Sequence, residues 1–224
     1  MNEIPERINL PVIQEVYDNI VLHTNEKYDD VFTFRQTVNQ RFGALYVRIT
    51  MNSEKFPGKK IYGFCFRDDE GNVCITDNYV GVKYENEVRD VLRNIISDLY
   101  GSDTSVDYEA CSTISNLSFD DETTLEQFLA SKGACISFNA FVFLPKDGFN
   151  REKEEEAIKN KLISSGICCS GTIYFTENKN LISEAPEADS LGLLLKSHPY
   201  FDYCEFIMNN DGVFDYFGWE ALNG

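Results

Sequence analysis

The sequence predicts an α+β protein, with a mainly antiparallel sheet packed by helices in two lobes. Three observations carry this. Apolar residues recur at helical spacing in some stretches and at period two in others. Two pairs of strand-like segments flank short runs of acids or amides that include a Gly, at 68–72 and 209–212, which is hairpin turn chemistry. Between the halves the composition changes: from Asn94 to Ser131 there is no Lys, Arg or His, while acids recur.

The first lobe, 1–103, opens with a helix. Pro11 suits a helix start, where its missing N–H costs nothing, and Val12, Ile13, Val16, Tyr17, Ile20 and Val21 follow at helical spacing. Residues 31–42 read two ways. Phe34, Val38 and Phe42 suit a helix opened by Asp30, and Val31 to Phe34 suit a strand. Ala44 to Met51 alternates as a half-buried strand, with Leu45, Val47, Ile49 and Met51 on one face. Strands follow at 60–67 and 73–76 around the turn from Asp68 to Asn72. A helix at about 83–99 then presents Tyr84, Val88, Val91, Leu92, Ile95, Ile96 and Leu99 as one apolar stripe, and Gly101 ends it. This helix is expected to back the three-stranded sheet.

Residues 104–133 form an acidic connecting segment, with a short strand near 105–110 and a helix near 121–131 capped by Asp120 or Ser118. The second lobe, 134–224, begins with the strand Cys135 to Leu144. Asn150 caps a helix through Ser164 that turns Ala157, Ile158, Leu162 and Ile163 inward, and Gly166 stops it. The acids from Glu152 to Glu156 suit its N-terminal dipole. Next come a strand at 172–176, a short helix at 191–195 ended by Pro199, and a terminal hairpin of Tyr203 to Met208 and Val213 to Phe217.

Thirty-seven acids against 20 Lys and Arg give a net charge of −17. Such a surface repels nucleic-acid backbones, whose binding proteins rely on Lys and Arg, and it repels anionic membranes. No apolar run reaches the roughly 18 residues of a membrane span. The seven cysteines are odd in number and sit mostly in apolar runs, and the N-terminal stretch lacks a signal-peptide core. Both suit a reducing cytoplasm, and Asn116-Leu117-Ser118 then matches the glycosylation sequon by chance.

No phosphate-binding glycine loop, Cys-x-x-Cys pair, histidine pair or nucleophile elbow occurs, so no cofactor, metal or catalytic residue is assigned. The turn Asp68 to Asn72 lacks the spacing of a calcium loop. Gly166 to Gly171, with Cys168 and Cys169, has the look of a glycine-flanked nucleophile loop. No Arg follows Arg151 and the only later His is His198, and the ordinary alternative is a helix-to-strand connection with two packed thiols.

The tail is distinctive: eight of the 20 residues from Tyr200 to Trp219 are aromatic, interleaved with acids and no base. Either it closes the core with one aromatic face, or it offers a recognition surface rich in Tyr and Trp. These features favour a non-enzymatic, cytoplasmic binding protein, of inhibitor, immunity or regulatory type, that engages a basic protein partner. The contact residues expected are Asp120, Asp121, Glu122, Asp202, Asp215, Tyr216 and Trp219. An enzyme with a carboxylate- or Cys-based hydrolytic site and a small-ligand sensor are the alternatives.

Overall fold

The computed structural model describes residues 10–38, 46–68, 70–110, 119–185, 190–209 and 211–220. Phe42, Ala44, Leu45, Cys111 and the segment Asn116 to Ser118 lie outside them. The fold is α+β with two open sheets, one of four strands and one of five. The chain divides into two compact units, 1–83 with 112–123, and 84–111 with 124–224.

In the first unit, helix α1 (Leu10–Lys27) lies on the antiparallel meander β1 (Phe32–Thr37), β2 (Tyr46–Ser53), β3 (Ile61–Arg67) and β4 (Val73–Asp77). The ambiguous segment at 31–42 is a strand where it is described, because Phe32 to Thr37 finds backbone partners along β2 from Ser53 to Ile49. The α1 stripe presses Ile20, fully buried, onto Gly63 of β3. A Cβ at Gly63 would overlap Ile20 Cγ2 and crowd Met51 Cε at 3.1 Å, so the close approach of helix and sheet requires Gly. Gly71, at φ +86°, closes the β3–β4 turn, where the Asp68 N–H donates to the Asn72 carbonyl at 3.0 Å. A five-residue helix, α2 (Tyr79–Lys83), completes the unit.

Near the end of β4, Asp77 forms a buried node. Its carboxylate accepts from Lys27 Nζ at 2.8 Å, from the Tyr28 hydroxyl at 2.8 Å and from the Tyr79 N–H at 2.9 Å. Burial and the neighbouring carboxylates of Asp77, Asp121 and Asp120 hold the Tyr28 phenol protonated.

In the second unit the five-stranded sheet runs β5 (Thr104–Tyr108), β6 (Ile136–Phe143), β7 (Cys169–Thr176), β8 (Asp202–Met208), β9 (Phe214–Glu220). Every pairing is antiparallel except β6–β7. Parallel neighbours need a crossover, and helix α5 (Arg151–Ser165) supplies it. The pairing begins at Ile136↔Cys169, so β7 starts three residues before the strand read from sequence.

The strong helix of the first half, α3 (Glu85–Tyr100), packs against β5 of this unit, whereas the sequence reading set it behind the three-stranded sheet. Its stripe of Val88, Leu92, Ile95 and Ile96 is buried as the periodicity requires, but periodicity does not specify which sheet it meets. Helix α4 (Leu125–Leu129) is shorter than expected and is capped by Thr124, whose hydroxyl accepts the Gln127 N–H while Gln127 reaches back, a capping box; Asp120 instead closes the preceding turn. On α5 the buried line is Glu154, Ile158 and Leu162, spaced by four. Ile163, expected inward, is turned one residue off that line and is 48% exposed.

Two short helices, α6 (Lys179–Glu184) and α7 (Leu191–Ser197), follow β7. Among the described residues no helix is long and apolar enough to cross a membrane.

Candidate functional site

The register of the five strands lines residues up in rows across the sheet. On one face the rows are Val106–Ala140–Ile173–Cys204–Trp219 and Tyr108–Phe138–Gly171–Phe206–Phe217. They are almost wholly apolar, and α3 and α5 cover them.

The opposite face is built differently. Its first row is Ser105–Phe141–Tyr174–Tyr203–Glu220. Phe141 and Tyr174 stack at 5.4 Å and Tyr174 and Tyr203 at 5.6 Å, under Leu181 and Ala185 near α6 and Leu194 of α7. Burial first, then Tyr200 and Glu205, pushes the Tyr174 phenol up to about 12.

The next row is Asp107–Asn139–Thr172–Glu205–Gly218, all half-buried. Beyond it come Ser137, Ser170, Ile207 and Tyr216, with Ile207 and Tyr216 46% and 45% exposed. The helices α6 and α7 thus shelter the aromatic row, and polar groups lie in the open half of the face.

Two features shape this open half. Burial raises the Asp107 carboxyl above its usual range, opposed by the Arg89 guanidinium and the Asn139 amide and reinforced by Glu109. At the other end Tyr216 lies along β9, over Gly218. A Cβ at Gly218 would overlap the Tyr216 hydroxyl and sit 2.7 Å from Cζ, so the ring rests there because residue 218 has no side chain. Gly218 pairs with Glu205, which sets phenol and carboxylate on adjacent strands of one face. The five strands carry five acids and no Lys, Arg or His. The first sheet, by contrast, carries Arg35, Arg48 and Arg67.

The contact residues expected from sequence are shared between the two units. Asp120, Asp121 and Glu122 belong to the first unit and the other four to the second. Asp120 is exposed and accepts from the Glu122 N–H at 3.1 Å and the Thr123 hydroxyl at 3.0 Å. The Asp121 carboxylate takes the Asp29 N–H, its carbonyl takes Lys83 Nζ at 2.9 Å, and Glu122 is exposed.

Asp202 is buried on the helix-covered face in a two-point pair with Arg151, at 2.7 Å to Nε and 2.8 Å to Nη2. Trp219, on the same face, donates its indole N–H to Glu155 at 3.0 Å, stacks on Phe175 and lies beneath Arg151. These two residues fasten α5 to the sheet. Asp215 is exposed near Lys132 at 3.4 Å. Of the four tail residues, Tyr216 is on the open face, Asp202 and Trp219 are on the covered one, and Asp215 is the extra residue of the register shift between Phe214 and Tyr216. Sequence reasoning did not single out Asp107, Asn139, Thr172 or Glu205. Each sits at an alternating position, yet only the register joins them.

The structure separates Cys169 from His198. Cys169 begins β7, while His198 bonds Asn178 at 3.3 Å and Glu184 at 2.8 Å, just past the strand's far end. Seven strand residues span about 23 Å. Burial raises the Cys169 thiol to about 12, the reverse of what a nucleophile needs. Among the described residues no three His, Cys, Asp or Glu side chains are grouped to hold a metal ion.

No protein-family model matches the chain, and no curated protein matches it. Its fold is similar to the crystal structure of a DUF5037 family protein from Ruminococcus gnavus ATCC 29149, at a TM-score of 0.43 and 14% identity over 90% of this chain and 94% of that one.

Proposed function

We propose that this chain is a cytoplasmic, non-enzymatic binding protein, of inhibitor, immunity or regulatory type, that engages a basic protein partner on the open face of its five-stranded sheet. The observation that carries the reading is the absence of any base from the five strands, whose open face presents Asp107, Glu205 and Tyr216. An exposed Tyr and Ile beside half-buried acceptors suit an interface: the apolar groups supply contact area and the carboxylates select a cationic partner. The overall charge of −17 speeds the approach of such a partner.

The test is affinity capture from lysate at about 50 mM and about 500 mM salt, where screening lengths differ roughly threefold. Wild type is compared with Glu205→Lys and Tyr216→Lys. A basic protein retained at low salt, released at high salt and absent from both variants is expected. Capture indifferent to salt and to both variants would refute the reading.

A further inference from the structure

We infer that the partner docks by adding an extended basic segment as a sixth strand on the outer edge of β9. This rests on the acidic-face reading above and names the chemistry that would satisfy it. β9 ends the strand order, so its seven residues have β8 on one side and, among the described residues, no strand on the other. An edge of this kind carries a row of backbone N–H and C=O groups able to template another strand.

Protein edges are normally blunted by Lys, Pro, bulges or brevity, and the other three sheet edges here show such protection. β1 has a register break between Phe34 and Gln36 with Arg35 at it. β4 is five residues long and anchored at Asp77 by Lys27 and Tyr28. β5 is also five residues long, with α3 packed on it and Arg89 donating to its Tyr108 carbonyl at 2.9 Å. β9 has neither Lys nor Pro. Its register with β8 is unbroken from Tyr203↔Glu220 to Ile207↔Tyr216, and the one irregularity lies at its beginning.

Charge selects the occupant. A second copy laid antiparallel on β9 would bring two strands with two acids each, and no base, into cross-strand contact between chains of net charge −17. A segment with Lys or Arg at alternate positions reverses that sign. Its side chains on the open face would extend the Asp107–Gly218 row at the point where Tyr216 lies flat, and exposed Asp215 adds a second carboxylate near the start of the strand.

The probe is a short synthetic peptide alternating lysine with valine. A control of equal charge has its valine amides N-methylated, so that it cannot complete a strand ladder. Binding is followed by amide exchange and by titration at low salt. The expected result is capture of the first peptide, with exchange along β9 slowed about tenfold or more, and loss of both effects for the methylated peptide. Equal affinity for the two peptides, or protection elsewhere than β9, would overturn strand addition while leaving the acidic-face reading intact. If neither peptide binds, both readings are overturned. A dimer of the free protein with β9 already protected would assign the edge to a second copy and overturn the inference.

Discussion

Replacing Asp77 by Ala should be among the most damaging single changes in the first unit. The carboxylate is 2% exposed and its partner Lys27 is 11% exposed, with Nζ 2.8 Å away. At that distance and an effective dielectric of about 20, the pair attraction is about 6 kcal/mol before desolvation is subtracted. Removing one partner leaves the other charge buried, which costs about 3–5 kcal/mol in comparable pairs. The Tyr28 hydroxyl is not stranded, because the Phe119 carbonyl lies 2.9 Å away, so the loss falls mainly on Lys27 and the Tyr79 N–H. Asp77→Asn keeps an acceptor for both and should cost about 1.5–3 kcal/mol, the worth of a charged hydrogen bond. The double variant Lys27→Met with Asp77→Leu should be less damaged than Asp77→Ala, because neither charge is left alone. Urea denaturation by circular dichroism, with amide exchange over 61–77, reads all three. A loss below about 1 kcal/mol for Asp77→Ala, or a double variant no more stable than Asp77→Ala, would refute the buried-pair argument.

Gly63→Ala should destabilise by about 1–3 kcal/mol through overpacking against Ile20, and adding Ile20→Ala should cost less than the two single effects summed; thermal melts of the four proteins check this. Asp107→Asn should raise stability near neutral pH. Burial raises the folded carboxyl, so its ionised form is a cost fully present above the folded value that disappears as pH falls through it; the gain should fade in acid, which calorimetry at several pH values would show. The Cys169 and Cys204 thiols, both raised to about 12 by burial, should be alkylated only after denaturation, as mass mapping of labelled native and unfolded protein would reveal.

What could be read from the chain tracks how local the controlling physics is. The α3 stripe and the Asn150 and Gly166 caps of α5 are set by residues within a turn or two, and the structure has them where the spacing places them. The segment at 31–42 was undecided because its choice between helix and strand rests on β2 as a distant partner. Thr124 and Gln127 spell out a capping box that the surrounding acids obscured. The short helix α6 has too few turns to show a period, and its Leu181 is buried only because Phe141 and Tyr174 form the surface it meets.

The candidate site was illegible for the same reason. Asp107, Asn139, Thr172 and Glu205 lie on four strands spread over almost a hundred residues, and a shift of one residue in any pairing would move a member of the row to the other face. Composition could say that the tail combines aromatics with acids. It could not say that parity sends Trp219 beneath α5 and Tyr216 to the open side. That division makes function separable from folding in this sheet: Trp219 and Asp202 fasten α5, so their loss should destabilise the unit and mix a folding effect into any change in recognition. Gly218→Ala is the sharper instrument. It displaces the far end of an exposed side chain rather than a core atom, so the melting point should scarcely move while Tyr216 leaves its seat beside Glu205. A partner that reads this face should then be bound several-fold more weakly by a protein of unchanged stability, an outcome that a purely structural role for the β8–β9 hairpin would not produce.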